Sequence, residues 1–414
     1  MRLKNLLALG VASAVAVGAC SSSSPKSSSS SASSSPTTAA GATATPTGAP
    51  WVVAAVVPMS GALAPSFTAA IAVYKAEVAF VNQHGGIAGR PVKLDLIDSA
   101  GTPAQAISAL QAYLDKTTPQ MVVPGQVTAL ITPVLPLITQ KKLFSAGTSV
   151  AKELNDPTKY PYYFALSPTT DQVESAEVAH LKGLGFSKLA FLGPDNASGR
   201  SALAAFKVAA GSAGATVTSA LMDPTSLDAT AQLSQLQSAK PDVLVLDGYG
   251  PFAGVFLKTR TKLSWDVTTE ADETFSANDL AAQSSPADIK GVKMQFFSYS
   301  VKGDQASSTP AAQVVEGVLA ATANPTPLWP QAQNWDLLLL GKIAGDKAGP
   351  DADGTALKNA LESVDAIPAS VKDYFFGTPE LAYSSTNHAP KWLASDFSWY
   401  NAGTLQSGLL VPSS

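Results

Sequence analysis

From residue 51 onward, apolar positions follow two alternating patterns. Residues 52–57 form a continuous apolar run, which is typical of a strand buried on both faces of a sheet. The next apolar residues recur every three or four positions and predict an amphipathic helix: Phe67, Ile71, Tyr74, Val78 and Val81. Gly85 and Gly86 follow, and glycine is the usual residue at a helix terminus.

The same alternation of strand and helix patterns continues along the chain. Further strands are predicted at 92–97, 121–123, 143–144, 189–192, 216–221 and 243–246. Further helices are predicted after Thr102, which caps the first of them, and around 173–181, 202–210, 229–237 and 251–257. Such alternation predicts an α/β fold of doubly wound parallel sheets, in which ligands bind beyond the carboxyl ends of the strands. More than 360 residues exceed what one core holds, so two lobes are expected.

The first 20 residues have the pattern of a secretory signal peptide. Arg2 and Lys4 precede an apolar stretch of about a dozen residues, which is too short to span a bilayer. Val17-Gly18-Ala19-Cys20 resembles the lipobox of bacterial lipoproteins, and Cys20 is the single cysteine of the chain. The resemblance implies a signal peptide at 1–19 and a lipidated Cys20. An ordinary signal peptide with a chance cysteine is the alternative.

The segment that follows Cys20 is a predicted tether. Residues 20–50 are almost entirely Ser, Thr, Ala, Pro and Gly, with too little apolar surface to offset the entropy of ordering. We therefore expect a disordered tether that holds the folded body at the extracytoplasmic face of the cytoplasmic membrane, through the lipid anchor.

Composition argues against several other functions. The formal net charge is −4 and no basic stripe occurs among the 27 Lys and Arg residues, so nucleic acid is not expected as a partner. The three histidines, His84, His180 and His388, do not have the spacing of metal ligands, and no nucleophile or phosphate-loop motif occurs. We therefore expect no metal, no cofactor and no enzymatic activity.

Several motifs carry a family resemblance. Pro58-Met59-Ser60-Gly61, the element Asn-x-x-Gly-Gly-Ile-x-Gly-Arg at 82–90, and the segment Phe397-Ser398-Trp399-Tyr400-Asn401 are similar to type I periplasmic solute-binding proteins. Within them, the chain most resembles the branched-chain amino acid binding branch, the receptor lipoproteins of ABC importers. The resemblance implies two lobes joined by three crossovers, near 164–167, 295–298 and 380–384. Lobe 1 would comprise 51–166 and 298–381, and lobe 2 would comprise 167–297 and 382–414.

The resemblance also implies where a ligand carboxylate binds. In the family, hydroxyl residues on two lobe 1 loops bind this group, and helix N-termini suit an anion. The matching residues here are Thr128 or Ala129, beside Gln126, in the first loop and Ser149, beside Gly147 and Thr148, in the second. Both loops are expected to enter helices, although Pro133 and Pro136 favour a first helix that starts near Thr132. A simple helix cap is the alternative role for Thr128.

Lobe 2 would hold the ligand ammonium group. Tyr249 matches an aromatic residue of the family's cleft, and Glu273, or else Asp272, matches an acidic ligand. A core tyrosine and a solvated acidic turn are the respective alternatives. Ser198 stands where the family often has tyrosine, and so does Ser66, whose neighbour Phe67 is aromatic. These departures leave open whether the ligand is leucine, isoleucine or valine.

The predicted function is therefore that of an importer's receptor. It would capture an amino acid or similar small polar solute and, as a monomer, deliver it to the permease and ATPase subunits of an ABC importer. A ligand-sensing receptor lipoprotein of a signalling system, with the same fold, is the alternative. A cell-envelope hydrolase on an α/β scaffold ranks far behind both.

Overall fold

The computed structural model describes residues 45–303, 309–322, 326–378 and 380–413. The predicted signal peptide, Cys20 and nearly all of the predicted tether lie outside these residues. The strands are β1 Trp51–Val57, β2 Val92–Asp98, β3 Met121–Val123, β4 Ser145–Gly147, β5 Tyr163–Ala165, β6 Lys188–Pro194, β7 Thr216–Met222, β8 Val243–Leu246, β9 Thr268–Ala271, β10 Val292–Phe297, β11 Phe397–Asn401, β12 Gly403–Gln406 and β13 Leu409–Pro412.

Helices connect most of these strands. The α-helices are α1 Ala64–Gln83, α2 Pro103–Leu114, α3 Thr128–Ile131, α4 Leu135–Gln140, α5 Thr170–Gly183, α6 Ala197–Ser212, α7 Thr230–Ser238, α8 Phe252–Lys262, α9 Glu273–Ser276, α10 Leu280–Gln283, α11 Pro286–Ile289, α12 Pro310–Ala320, α13 Leu328–Ala348 and α14 Gly354–Glu362. Single 3-10 turns lie at Lys152–Leu154, Ser298–Ser300, Lys372–Tyr374 and Ala394–Asp396.

Two sheets form the framework. The first has the strand order β2-β1-β3-β4-β5, and all its neighbouring strands are parallel. The second has the order β11-β10-β9-β8-β6-β7, in which β11 alone is antiparallel to its neighbour. The predicted α/β class with parallel, doubly wound sheets is confirmed.

Each sheet is covered on both faces by apolar helix faces. Residues of α1, α12, α13 and α14 pack with β1 in one core cluster, and those of α2, α3 and α4 pack on the opposite face. The second sheet is buried between α7, α8 and α9 on one side and α6 on the other. The chain leaves the first sheet after β5, packs on it again with α12 to α14, and then adds β11 to the second sheet. The last two strands, β12 and β13, form a separate antiparallel pair. The residue boundaries of the two lobes stay predictions.

Three local predictions are wrong. The strand expected at 143–144 is β4, at Ser145–Gly147. Helix α3 begins at Thr128 rather than near Thr132, and it has four residues because Pro133 lacks the N–H that would continue it. The loop after β4 does not enter an α-helix. It leads to the 3-10 turn at Lys152–Leu154 instead.

Helix α1 is long and apolar enough to cross a membrane by length and composition. Its apolar side chains are in the protein core, however, where Val73 and Tyr74 are buried and Phe80 contacts Trp335 of α13 with 5.2 Å between ring centroids. The amphipathic pattern read from the sequence therefore corresponds to a core helix.

Helix α13 lies unusually close to the first sheet because glycine faces it. A β-carbon at Gly341 would lie 2.7 Å from the Met121 sulfur and 2.9 Å from the Trp51 ring, so a larger residue there would displace these side chains or the helix. Trp51 itself is 1% exposed and begins β1. The packing of α13 on β1 and β3 therefore depends on this glycine.

We expect Gly341→Ala to lower the free energy of unfolding by about 1–3 kcal/mol, because overpacking forces the helix and strand apart. Gly317→Ala in α12 is the matched control, since its β-carbon would meet no atom within 4 Å. There, replacing glycine within a helix should stabilise the protein by up to about 1 kcal/mol. Urea unfolding of both variants measures the difference, and equal effects would contradict the packing described here.

Candidate functional site

A cavity of about 250 Å³ lies where the carboxyl ends of strands from both sheets converge. Loops after β3 and β4 form one wall, together with the first turn of α1. Loops after β6, β8 and β9 form the other wall, and the beginning of α13 closes a third side. This is the position at which parallel α/β sheets bind ligands.

Ten of the twelve predicted ligand-binding residues line this cavity. They are Ser66, Phe67, Gln126, Thr128, Ala129, Thr148, Ser149, Ser198, Tyr249 and Glu273. The other two, Gly147 and Asp272, do not line it. Gly147 packs against Tyr163, whose hydroxyl would lie 2.9 Å from a β-carbon there, and the Asp272 carboxylate accepts a hydrogen bond at 2.9 Å from the backbone N–H of Phe275. That these residues contact a ligand stays a prediction.

The two predicted loops of the first wall meet directly. The hydroxyl groups of Thr128 and Ser149 are hydrogen-bonded, with their oxygens 2.8 Å apart. The alternative of Thr128 as a helix cap is wrong, because the cap position of α3 is Val127. The first turn of α3 adds the N–H groups of Thr128 and Ala129, which have no earlier carbonyl within the helix. This wall therefore presents hydroxyl and N–H donors side by side.

The second wall carries two buried carboxyl groups. Asp247 follows β8 and is 1% exposed, whereas Glu273 begins α9 and is fully buried. Asp247 Oδ2 and Glu273 Oε1 have no hydrogen-bond partner among the described residues, while Glu273 Oε2 accepts a hydrogen bond from Thr274 Oγ1 at 3.2 Å. No lysine, arginine or histidine is among the described residues that line the cavity. The alternative of a solvated acidic turn at Glu273 is therefore wrong.

Further buried carboxyl groups lie behind this wall. Asp272 forms a side-chain hydrogen bond with Asp247, and the carboxyl of Glu174 in α5 interacts electrostatically with Asp247 and Glu273. Burial raises the pKa of Asp247 above its usual range and that of Glu273 to about 8. Burial, and then the nearby charges, raises the pKa values of Asp272 and Glu174 well above the ordinary range. When ionised, these four carboxylates would thus have no positively charged partner among the residues that line the cavity.

Tyr249 stands at the edge of the cavity, and 42% of its surface is exposed. The alternative of a core tyrosine is therefore wrong. Its side chain interacts with that of Ser66 in α1, across the cavity. A second such contact joins Ser201 of α6, whose hydroxyl donates to Glu153 at 3.4 Å. The chain segments on the two sides of the cavity thus contact each other both at its lining and outside it.

Sequence reasoning missed two parts of the site. Asp247 can be identified as a candidate site residue from the sequence, because it directly follows a predicted buried strand. The beginning of α13 was not singled out, yet its residues Trp329, Gln331, Gln333 and Asn334 line the cavity. The available signal was a run of polar side chains at the start of a helix whose following residues, 337–340, are all leucine.

The histidines lie away from the cavity. His84 contacts the Phe80 carbonyl through Nδ1, the His180 ring stacks on Trp399 with 4.0 Å between centroids, and His388 contacts Glu362. No group of three or more His, Cys, Asp or Glu side chains within the described ranges could hold a metal ion.

Comparisons with known proteins agree with this architecture. A family model described as periplasmic binding protein matches residues 50–391. The chain is 24% identical over 319 residues to the Leu/Ile/Val-binding protein BraC3 of Rhizobium johnstonii. The aligned region covers 76% of this chain and 84% of that protein.

Solved structures show the same fold. A periplasmic binding protein type 1 from Bordetella pertussis has a TM-score of 0.73 at 15% identity, covering 88% of this chain and 100% of that one. An ABC transporter solute-binding protein from Rhodopseudomonas palustris, in complex with benzoate, has a TM-score of 0.70 at 18% identity, covering 88% and 95%. Because the family model spans most of the sequence, this chain belongs to the periplasmic binding protein family.

Proposed function

We propose that this protein is an extracytoplasmic receptor that captures a free amino acid in the cavity and delivers it to the permease and ATPase subunits of an ABC importer. The observation that carries the proposal is the pair of buried carboxyl groups, Asp247 and Glu273, whose unpaired oxygens meet no lining cation. A buried carboxylate is stable when a cation and hydrogen bonds compensate for the lost water. The ammonium group of an amino acid supplies both.

The same pair argues against an aromatic acid as the solute. Two of the similar structures, both from Rhodopseudomonas palustris, hold benzoate and 3,4-dihydroxybenzoic acid. The single ionised group of benzoate is a carboxylate, so benzoate brings no cation for Asp247 and Glu273, and no lysine, arginine or histidine of the lining supplies one. An amino acid brings a positive charge together with its negative one.

The other walls suit the remaining parts of an amino acid. One proton of the Thr128 and Ser149 hydroxyl pair is used in the hydrogen bond between them, and the other, with the N–H groups at the start of α3, is a donor for the ligand carboxylate. Tyr249 offers a ring face near the acidic wall, where an ammonium group gains a cation–π interaction. The donors and the acids thus lie on different walls, as a zwitterion requires.

Binding of an ammonium group should release a proton. In the empty protein burial raises the pKa of Glu273 to about 8, so this carboxyl is mostly protonated at pH 7. A bound cation stabilises the ionised form and lowers that pKa. The bound state therefore holds fewer protons than the free state at pH 7.

Calorimetry with a panel of free amino acids and benzoate tests the proposal. At least one amino acid should bind, with an enthalpy that differs between phosphate and Tris buffers at pH 7 because a proton is released. Glu273→Gln should weaken binding by roughly a hundredfold or more, since breaking a buried ion pair costs about 3–5 kcal/mol, and should reduce the buffer dependence. Glu380→Gln, which alters an exposed ion pair with Lys391, is the control and should change neither. Binding of benzoate alone, or unchanged affinity in Glu273→Gln, would refute the proposal.

Delivery to a permease also requires that the protein stay at the membrane, which we propose is the role of Cys20. Cys20→Ser should release the folded body into the soluble fraction, because the acyl chains supply the attachment. Cell fractionation measures this, and the melting temperature of the purified variant shows that the body is intact. A variant that stays in the membrane fraction would rule out the lipid anchor.

A further inference from the structure

The beginning of α13 contributes a polar surface to the cavity. The proposed binding of the ammonium and carboxylate groups of an amino acid does not involve this surface. Trp329, Gln331, Gln333 and Asn334 all line the cavity, and all four are buried. Polar side chains so well buried are normally hydrogen-bonded. Their partners therefore indicate which groups are left for a ligand.

Two of the amide side chains have partners within the wall. Asn334 Nδ2 donates to Gln331 Oε1 at 3.1 Å, and Asn334 Oδ1 accepts from the Tyr74 hydroxyl at 3.4 Å. The Tyr74 oxygen in turn accepts from Gln126 Nε2 at 2.8 Å. This chain of hydrogen bonds ties α13 to α1 and to the loop after β3, so the wall is held in place from behind.

Two donors of the same wall have no such partner. Gln333 Oε1 accepts from the Ser167 hydroxyl at 2.6 Å, which leaves Nε2 of that amide unpaired. Trp329 Nε1 is also buried without a hydrogen-bond partner among the described residues, while its ring packs on Phe297 at 5.2 Å between centroids. Two unpaired N–H donors four residues apart, one helical turn, point to an acceptor supplied from the cavity.

We propose that the side chain of the bound amino acid ends in a neutral hydrogen-bond acceptor, of the carboxamide class, which accepts from Gln333 Nε2 and Trp329 Nε1. The inference rests on the proposed function and names its substrate class. An aliphatic side chain would leave both donors buried and unpaired, and a site built for hydrogen bonds discriminates strongly against an analogue that lacks them. A carboxylate side chain would add a second negative charge beside Asp247 and Glu273, with no lining cation.

Isosteric pairs of free amino acids test the inference by calorimetry. Asparagine has the shape of leucine, glutamine has that of methionine, and glutamate differs from glutamine chiefly in charge. We expect at least one carboxamide to bind roughly a hundredfold more tightly than its apolar isostere, and glutamine more tightly than glutamate. Leucine binding as tightly as asparagine together with methionine binding as tightly as glutamine, or glutamate binding more tightly than glutamine, would overturn the inference while leaving amino acid capture intact. If no amino acid binds, the proposed function fails and this inference fails with it.

Two variants assign the effect to the donors. Gln333→Met and Trp329→benzothienylalanine, in which sulfur replaces the indole N–H, each remove an N–H group at nearly constant shape, so each should weaken carboxamide binding roughly 10- to 100-fold and leave binding of the apolar isostere unchanged or stronger. Asn334→Leu is the control on the same wall, and it should affect both isosteres alike because its amide nitrogen and oxygen are both hydrogen-bonded within the wall.

Melting of the empty variants separates this role from a structural one. If the two donors serve the ligand, Trp329→benzothienylalanine should melt no lower than the wild type, because it removes an unpaired buried N–H group and keeps the ring packing on Phe297. A lower melting temperature for this variant, with equal losses for both isosteres, would show that the N–H group serves the fold, and the inference would then be wrong.

Discussion

Burial of carboxyl groups without a positive partner is the constraint on which this structure depends. Asp247 and Glu273 end up in the cavity wall because β8 and β9 are neighbouring parallel strands, so the residues that follow them meet at one edge of the sheet. Glu174 and Asp272 add two more buried carboxyl groups behind this wall. A core built only for stability would have apolar side chains here, since buried charges rarely repay the cost of their desolvation. In the empty protein Glu273 is instead mostly protonated at neutral pH, because burial raises its pKa to about 8.

The strands that the sequence predicts best are those with continuous apolar runs, such as β1 and β8. Their pattern is unambiguous because both faces of a parallel sheet are buried. By contrast, β9 at Thr268–Ala271 contains Glu270 and has no apolar run, and hydrophobicity alone does not distinguish it from a turn. Strand β4 was misplaced for a related reason, because Leu143 and Phe144 are more apolar than the small residues that form the hydrogen-bonded strand.

The residues of the candidate site also fall into those that the sequence predicts and those that it does not. Loops that follow predicted strands could be located from the sequence, because topology alone places them at the carboxyl edge of a sheet. The start of α13 could not, since it reaches the cavity through long-range packing. Gln333 and Ser167 are 166 positions apart in the chain and meet at 2.6 Å. No local pattern of polar and apolar residues encodes such a contact, and the polar residues of this helix are recognisable as functional once the fold has buried them.

The contacts between the two walls have a consequence for the concentration range in which the protein works. The interactions of Ser66 with Tyr249 and of Ser201 with Glu153 stabilise the arrangement in which the walls touch, whether or not a solute lies between them. When the binding-competent arrangement is populated in a fraction of molecules, the apparent dissociation constant rises in inverse proportion to that fraction. Glu153 and Ser201 do not line the cavity, so a change at either residue would alter the apparent dissociation constant of every ligand that favours this arrangement by the same factor.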